Sequence, residues 1–279
     1  MTAKRWIITG TSTGFGRSLA IAALERGDVV AGTVRKQSDA ESFEALAPGR
    51  AFAVVVDMND SPRAVTTAVD AAAARLGGLD VVVNNAGYGL VGAVEELSEQ
   101  EARDQIETNF WGPWKVSRAA LPHLKAAGGG RILNVSSLAG FTGVPGMALY
   151  NASKYALEGM SEGFRAEVKH LGIWVTIVEP GSFRTEWAGP SIKAAAASLP
   201  DYAKSSGRLR NFMPKLTGTQ DGDPARAAAA MIAIVECDNP PVRLLLGDDA
   251  VDAMRVKLAS TAAETDAWES LSRSTSYSS

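Results

Sequence analysis

The sequence predicts an α/β protein with a doubly wound, parallel, seven-stranded sheet and helices on both of its faces. Seven short apolar runs rich in β-branched residues alternate with longer Ala-rich amphipathic segments, as is typical of right-handed βαβ units. The runs are continuously apolar rather than alternating, which is expected of strands covered on both sides. No Pro- or Ser-rich linker divides the chain, so we expect a single domain.

The predicted elements follow this alternation along most of the chain. The strand candidates are short and lie at 6–9, 29–34, 51–56, 79–84, 131–136, 173–179 and 242–246. Helices are predicted between them, over about 15–26, 38–46, 61–76, 99–126, 148–170 and 224–237. The loop-rich segment 182–223 interrupts the pattern and is predicted to be the substrate loop. The last residues, 263–279, are polar, so we predict a catalytic domain over 1–262 followed by a partly disordered tail.

Composition and charge narrow the possible classes of function. The chain is 46% apolar with a net charge of −3, and its Lys and Arg residues form no stripe, so we expect no nucleic-acid partner. Cys237 is the single cysteine, which excludes a disulfide within one chain and fits a reducing compartment. The start of the chain lacks the pattern of a signal peptide, and no apolar run approaches the ~18 residues of a membrane helix. We therefore expect a cytoplasmic protein without membrane contact.

A glycine-rich stretch, TGTSTGFG over 9–16, follows the first strand and opens the first helix. Gly10, Gly14 and Gly16 are its fixed points, because a tight turn needs positive φ and a phosphate reaches backbone N–H groups only where no Cβ intervenes. The helix N-terminus adds unpaired donors and a partial positive charge. We interpret the stretch as a dinucleotide-binding turn, with a plain strand–helix turn as the alternative.

Residues 10–14 also fit the G-x-S-x-G pattern of a serine hydrolase, with Ser12 as nucleophile. That mechanism needs a later acid and then a histidine. His123 and His170 are the two histidines, and neither lies in an obvious loop after a strand. The turn also follows the first strand, so no earlier strand loop can supply oxyanion donors. A serine hydrolase is therefore the weaker alternative.

The end of the second strand indicates which dinucleotide is bound. NAD sites usually place a carboxylate about 20 residues past the glycines, where it binds the ribose hydroxyls. Here Val34 is followed by Arg35 and Lys36. A guanidinium pairs with a 2′-phosphate and stacks on adenine. We predict a preference for NADP(H), with NAD(H) possible; the alternative is a solvated arginine at a helix entry.

Tyr150 and Lys154 lie four residues apart in YNASKYALEG, residues 150–159. On a helix they share one face, and a lysine cation beside a phenol lowers the pKa of the phenol from about 10. Such a phenol can donate a proton to a ketone oxygen or accept one from an alcohol, which completes a hydride transfer by a nicotinamide. The pair alone is weak evidence for catalysis, because this spacing can arise by chance in an ordinary helix.

The chain resembles the short-chain dehydrogenase/reductase family over nearly its whole length. The resemblance lies in four motifs with family order and spacing: Thr9-Gly10-x-x-x-Gly14-x-Gly16, Asn84-Asn85-Ala86-Gly87, Tyr150-x-x-x-Lys154, and Pro180-Gly181 followed by Thr185. It implies a Rossmann fold and transfer of the nicotinamide 4-pro-S hydride to or from a ketone or secondary alcohol. It also implies a homodimer or homotetramer.

The resemblance implies four catalytic residues. Ser137, thirteen residues before Tyr150, is expected to bind the substrate oxygen, with Ser136 as its rival. Tyr150 is the expected general acid and base. Lys154 is expected to hold the nicotinamide ribose and to lower the pKa of Tyr150. Asn109 is expected to bend its helix and pass a proton from Lys154 to solvent through water; the alternative is that it bends the helix alone.

The resemblance also implies where the cofactor lies. Asp57 is the expected partner of the adenine amide, or else a surface turn residue. Asn84 is expected near the adenosine ribose, or in a stabilising turn. The predicted cofactor-contacting residues are Gly10, Ser12, Thr13, Gly14, Phe15, Gly16, Arg35, Asp57, Met58, Asn84, Ala86, Gly87, Tyr150, Lys154, Pro180, Gly181, Phe183 and Thr185.

The predicted substrate pocket follows strands four to six and includes the segment 182–215, which could close as a lid. Its candidate residues are mostly apolar: Tyr88, Leu90, Phe141, Val144, Met147, Trp187, Phe212 and Met213. They predict a medium-sized, largely apolar carbonyl or alcohol, although loop side chains facing the core would give the same composition. No cluster has metal-ligand spacing, so no metal is expected. The alternative function is a non-catalytic NADP(H) sensor of the same fold, which the intact Ser137, Tyr150 and Lys154 disfavour.

Overall fold

The computed structural model describes residues 3–189 and 191–277. Residues 1 and 2 of the predicted domain, residue 190 of the predicted substrate loop, and residues 278 and 279 of the predicted tail lie outside this description.

Nine strands are found in the described residues: β1 (Arg5–Ile8), β2 (Val29–Val34), β3 (Ala51–Val55), β4 (Val81–Asn84), β5 (Gly89–Val91), β6 (Gly130–Val135), β7 (Ile173–Pro180), β8 (Ile192–Ala194) and β9 (Arg243–Leu246). Seven of them form a parallel sheet in the order β3-β2-β1-β4-β6-β7-β9. The predicted α/β fold with a doubly wound seven-stranded sheet is confirmed. The strand ends differ from the predicted ones by no more than two residues, because continuous apolar runs mark strands buried on both faces.

The helices are α1 (Gly14–Glu25), α2 (Gln37–Glu44), α3 (Pro62–Leu76), α4 (Glu99–Ile106), α5 (Gly112–Ala126), α6 (Ala148–Val168), α7 (Arg208–Leu216), α8 (Pro224–Glu236) and α9 (Asp248–Arg273). Helices α1, α2 and α8 pack on one face of the sheet, and α3, α5 and α6 pack on the other. Strand β1 shows the division, because Trp6 and Ile8 belong to the first core and Ile7 to the second. Alternate side chains of each central strand are therefore buried on opposite faces.

The predicted helix over 99–126 is interrupted. A π-helical turn, Glu107–Trp111, separates α4 from α5 and contains Asn109, which is fully buried. The resemblance implied that Asn109 bends its helix, and the interruption lies at this residue. Such turns occur frequently at functional sites.

The segment 182–223 contains ordered structure that the sequence did not predict. Strand β8 pairs in parallel with β5, which joins this segment to the loop after β4. Helix α7 follows, after a 3₁₀ turn and a second π-helical turn. The segment is therefore packed against the body of the protein along part of its length.

The prediction of a partly disordered tail after residue 262 is wrong for residues 263–273, which continue α9. Every described side chain from Arg255 onward is exposed, so the helix has no buried stripe from which to predict it. Interactions within the helix stabilise it instead. Two acidic residues lie in its first turn, and Arg273 forms an ion pair of 2.7 Å with Glu269. The predicted domain boundary lies in the middle of this helix.

Within residues 3–189 and 191–277, no helix has the length and apolar character needed to span a membrane.

Candidate active site

A groove of about 460 Å³ crosses the carboxyl ends of strands β1 to β4. Residues from the first turns after these strands line it, as expected for a ligand site in an open parallel sheet. Eleven of the predicted cofactor residues lie here: Gly10, Ser12, Thr13, Gly14, Phe15, Arg35, Asp57, Met58, Ala86, Gly87 and Thr185.

The glycine-rich turn has the conformation that phosphate binding needs. Gly10 and Gly14 have φ values of 71° and 60°, which favour glycine. Thr13 makes no side-chain cap to α1, so its hydroxyl does not occupy the N–H groups of the first turn. Gly16 does not line the groove. A Cβ there would lie 2.3 Å from the Gly10 carbonyl oxygen, so this glycine lets α1 approach the turn closely.

The fourth-strand motif holds the glycine turn in place through Thr9 and Asn85. The Thr9 hydroxyl accepts hydrogen bonds from the backbone N–H groups of Asn85 and Ala86, each at 2.9 Å. The Asn85 side-chain amide donates to the carbonyls of Thr9 and Gly10 at 2.9 and 3.0 Å. Asn85 lines the groove and is a site residue that the sequence prediction omitted.

The close approach of the Asn84 backbone to the adenosine ribose stays a prediction, and the Asn84 side chain makes other contacts. It is buried at the end of β4, where its Nδ2 donates to Asn134 Oδ1 at 2.7 Å and to Ser117 Oγ at 2.9 Å. Successive side chains of a strand point to opposite faces, so Asn84 points toward α5 and does not line the groove. The alternative of a stabilising role describes its contacts better.

The end of the groove at which the sequence predicts the adenine is formed after β2 and β3. Arg35 lines it with an exposed side chain. Asp57 also lines it, and its Oδ1 accepts a hydrogen bond from the Asn59 N–H at 2.9 Å. The buried Lys115 ammonium donates to the carbonyls of Met58 and Asp60 and to Glu107 Oε1 at 2.8 Å. Lys115 thereby fixes the 57–60 loop against the π-helical turn.

A second, smaller cavity of about 220 Å³ adjoins the groove and contains the predicted catalytic residues Ser137, Tyr150 and Lys154. The two cavities share six lining residues: Phe15, Asn85, Gly87, Tyr88, Thr185 and Trp187. The predicted cofactor residues Pro180, Gly181 and Phe183 line the second cavity. A dinucleotide in the groove can therefore extend its reactive end to Tyr150.

The Pro180–Gly181 turn is anchored by the start of α9. The Ser182 N–H donates to Asp249 Oδ2 at 2.7 Å, and a Cβ at Gly181 would lie 1.9 Å from Asp249 Oδ1. A side chain at position 181 would therefore displace the Asp249 carboxylate. The role of Asp249 was not predicted, because α9 itself was not.

The ionisation of the catalytic residues is governed by burial. Burial raises the pKa of Tyr150 to about 12, and a hydrogen bond with the Ser137 hydroxyl acts in the opposite direction. Burial also lowers the pKa of Lys154 to about 8, whereas the negative charge of Glu158 acts to raise it. The expected lowering of the Tyr150 pKa by Lys154 is not found in this structure. Lys154 Nζ lies 5.9 Å from the centroid of the Tyr150 ring and donates to the Val135 carbonyl at 2.8 Å.

Two further catalytic candidates have defined surroundings. Asn109 Nδ2 donates to the Tyr88 carbonyl at 3.0 Å and to Ser153 Oγ at 3.1 Å, and Oδ1 accepts from the Tyr88 N–H at 3.1 Å. Asn109 thus lies behind the wall of the site, where it fixes Tyr88; its proton role stays a prediction. Ser137 has the Tyr150 hydroxyl as its partner, whereas the Ser136 hydroxyl is buried against Glu158.

The outer part of the second cavity is apolar, and Trp187 packs against Tyr150 with ring centroids 5.5 Å apart. Its other apolar residues include Val144, Met147, Leu209, Met213 and Leu216. The predicted pocket residues Tyr88, Met147 and Trp187 line the cavity. Three others do not: Leu90 and Phe141 are buried outside the cavity, and Phe212 is 52% exposed. Phe212 and Met213 are adjacent on α7, so a rotation of about 100° sends them in different directions.

The residues present fit a nicotinamide dinucleotide. Positive-φ glycines and the start of α1 offer donors to its pyrophosphate. A groove continuous with a catalytic cavity matches its extended shape. Among the described residues, no three His, Cys, Asp or Glu side chains are grouped as metal ligands.

Comparisons with known proteins agree with this geometry. Residues 4–195 match the family model for short chain dehydrogenases. The fold matches the crystal structure of a short-chain dehydrogenase from Streptomyces avermitilis with a TM-score of 0.91 and 41% identity, covering 98% of this chain and 100% of that one. An alcohol dehydrogenase from Thermococcus sibiricus, complexed with 5-hydroxy-NADP, matches with a TM-score of 0.71 and 25% identity, covering 88% and 96%.

A curated relative in Bacteroides thetaiotaomicron, 3-ketodihydrosphingosine reductase, is 37% identical over 243 residues, which are 86% of this chain and 87% of the relative. Together with the family match, this likeness shows that the chain belongs to the short-chain dehydrogenase/reductase family. It is an oxidoreductase that acts on CH–OH or C=O groups with a nicotinamide cofactor.

Proposed function

We propose that the protein is an NADP(H)-dependent oxidoreductase that interconverts a medium-sized, largely apolar ketone and its secondary alcohol. One observation carries the proposal: Ser137, Tyr150 and Lys154 meet where a dinucleotide-sized groove joins an apolar cavity. A sensor of the same fold has no need of this proton-donating group.

The chemistry of the chain follows from these positions. When bound, the nicotinamide supplies or accepts the hydride. The Ser137 hydroxyl donates a hydrogen bond to the substrate oxygen, and Tyr150 transfers a proton to that oxygen as negative charge develops on it. A Tyr150 pKa of about 12 keeps the phenol protonated at neutral pH, as reduction requires. The buried Lys154 ammonium would hold the nicotinamide ribose hydroxyls.

The preference for NADP(H) rests on Arg35, whose exposed guanidinium lines the adenine end of the groove. Arginine binds a phosphate in a bidentate manner, whereas a carboxylate at this place would repel it. The complex of the Thermococcus sibiricus relative with 5-hydroxy-NADP supports the same cofactor class.

The substrate class rests on the apolar wall formed by Met147, Trp187 and Met213. A pocket of this kind binds its ligand mainly by burial of apolar surface. The name of the Bacteroides thetaiotaomicron relative also specifies a keto compound.

We also propose a homodimer or homotetramer. Trp111 and Tyr155 are each 43% exposed, on the π-helical turn before α5 and on α6. Aromatic side chains of this size are enriched in protein interfaces. The cytoplasmic location stays a prediction from the composition.

The test is turnover of Tyr150→Phe, with Tyr155→Phe as control, because Tyr155 lies on the same helix but does not line the second cavity. With NADPH and a panel of apolar ketones, Tyr150→Phe is expected to lose about 10²–10⁴-fold in kcat. Its NADPH Kd, measured by fluorescence titration, is expected to stay within a few-fold of wild type. Undiminished turnover in Tyr150→Phe contradicts the mechanism, and a wild type that binds NADPH but reduces none of the ketones favours the sensor.

A further inference from the structure

Two carboxyl groups are buried next to the catalytic lysine. Glu158 lies one helical turn beyond Lys154 on α6 and is 5% exposed. Glu179, on β7, is fully buried. The mechanism described above uses neither of them.

Both carboxyl groups bind the same guanidinium. Arg243, on β9, donates from Nη2 to Glu158 Oε2 at 3.2 Å and from Nε to Glu179 Oε1 at 3.1 Å. Its Nη1 lies 2.5 Å from Glu162 Oε1, whose side chain is 52% exposed. One arginine therefore serves three carboxyl groups, two of which are buried.

The remaining oxygens of the two buried groups have no ordinary donor. Glu158 Oε1 and Glu179 Oε2 lack a hydrogen-bond partner among the described side chains and backbone groups. The two carboxyl groups lie side by side, because both accept from the one Arg243 guanidinium, at 3.2 and 3.1 Å. Two ionised carboxylates only accept hydrogen bonds and repel each other, and one guanidinium charge cannot balance them both. One proton held between them supplies the missing donor.

We propose that Glu158 and Glu179 share one proton at neutral pH, and that Glu158, as the ionised partner, is a positioning residue that keeps Lys154 charged. The part that concerns turnover rests on the proposed function, whereas the shared proton does not.

The charges around Glu158 support this assignment. Lys154 and Glu162 face it from its own helix, Glu179 from β7 and Arg243 from β9. Burial and, after it, the nearby Glu158 raise the pKa of Glu179 to about 8, so the proton resides mainly on Glu179. The Glu158 charge opposes the effect of burial on the pKa of Lys154. The buried Ser136 side chain, which precedes Ser137, lies beside Glu158, because both border the space that a Cβ at Gly140 would fill.

Infrared spectroscopy of the full chain at pH 7 tests the shared proton. The wild type and Glu162→Gln are expected to show the C=O band of a protonated carboxyl, and Glu179→Gln is expected to lack it. Glu162 is the matched control, because it binds the same Arg243 from the surface. Absence of the band from the wild type, or its persistence in Glu179→Gln, overturns the proposal. The result does not depend on turnover, so failure of the proposed function can be recognised separately.

The pH profile of kcat with NADPH tests the positioning role. Glu158→Gln removes a charge that stabilises the Lys154 ammonium, so the loss of activity at high pH is expected to begin about one pH unit lower than in the wild type. Glu179→Gln keeps Glu158 ionised and is expected to leave the profile in place, as is Glu162→Gln. A profile of Glu158→Gln that coincides with that of Glu162→Gln overturns the positioning role. If Glu158→Gln does not fold, the infrared comparison still decides the shared proton.

Discussion

Glu96 and Arg210 form a buried ion pair across 114 residues of sequence, with Arg210 Nη2 3.1 Å from Glu96 Oε2. The same carboxylate accepts hydrogen bonds from Ser206 Oγ at 2.6 Å, the Leu199 N–H at 2.9 Å and the Ala93 N–H at 2.8 Å. These bonds, that of Ser206 foremost, lower the pKa of Glu96 to about 2. The pair ties α7 to the turn after β5 and so holds the α7 part of the apolar cavity wall.

Glu96→Gln is therefore expected to destabilise the protein by about 3 kcal/mol at pH 7, because Arg210 loses its buried counter-ion. A lowered pKa in the folded state adds stability above the ordinary pKa of a glutamate, and this stability is lost as the pH falls toward 2. The difference in the free energy of unfolding between wild type and variant, measured with urea, should become smaller below about pH 4.5. The adjacent, exposed Glu95→Gln is the control; an equal effect of both variants contradicts the role of the pair.

Arg35→Asp is expected to shift cofactor preference toward NADH, because the new carboxylate repels a 2′-phosphate and accepts hydrogen bonds from ribose hydroxyls. We expect the ratio of the Kd values for NADPH and NADH to change by about 100-fold, as measured by fluorescence titration. Lys36→Asp makes the same change of charge on a residue that does not line the groove, and should leave the ratio nearly unchanged. If Arg35→Asp leaves the ratio as it is, the 2′-phosphate is held elsewhere.

Gly16→Ala is expected to impair both folding and cofactor binding. Its Cβ would lie 2.3 Å from the Gly10 carbonyl oxygen and 2.5 Å from Asn85 Nδ2, so α1 must move away from the turn. The free energy of unfolding is expected to fall by about 3 kcal/mol, as is typical of an overpacked site. Gly159→Ala is the control, because an added Cβ there meets nothing within 4 Å and should stabilise helix α6 by about 1 kcal/mol. Equal thermal unfolding of the two variants would show that α1 tolerates the shift.

Gln220→Leu is expected to change substrate selectivity. Gln220 lines the apolar cavity, is 7% exposed, and its Oε1 has no hydrogen-bond partner in the described part of the chain. A ketone with a second hydroxyl or carbonyl group can satisfy this amide, so the variant should lose about 10-fold in kcat/KM for such a ketone. Activity on a purely apolar ketone should stay the same, as it should for Gln100→Leu on the exposed face of α4. A uniform loss on both ketones contradicts the contact.

The sheet could be predicted closely because its strands are continuous apolar runs that need burial on both faces. The meeting of Ser137, Tyr150 and Lys154 in one cavity could be predicted, because Tyr150 and Lys154 share one helix face and the resemblance indicated Ser137. Several site residues could not be predicted because neighbouring side chains point in different directions. Asn84 and Asn85 point to opposite sides of β4, and Phe212 and Met213 diverge on α7, so an error of one residue exchanges a wall residue for an outer one.

Other features depend on the surroundings that only the folded chain creates. The pKa of Tyr150 is set by burial, which its distance along the chain from Lys154 does not reveal. The pairing of Glu158 with Glu179 joins a helix and a strand 21 residues apart, and neither residue belongs to a motif. Helix α9 lacks an apolar stripe and so gives the same pattern as a polar tail.

Helix α9 also has a hydrodynamic consequence. Its exposed portion, from Arg255 to Arg273, extends about 28 Å at the rise of an α-helix. A thin rod on a rounded body adds much friction and little mass. The frictional ratio from sedimentation velocity should therefore exceed that of a version shortened at residue 254, and burial of the rod in an assembly would remove the difference.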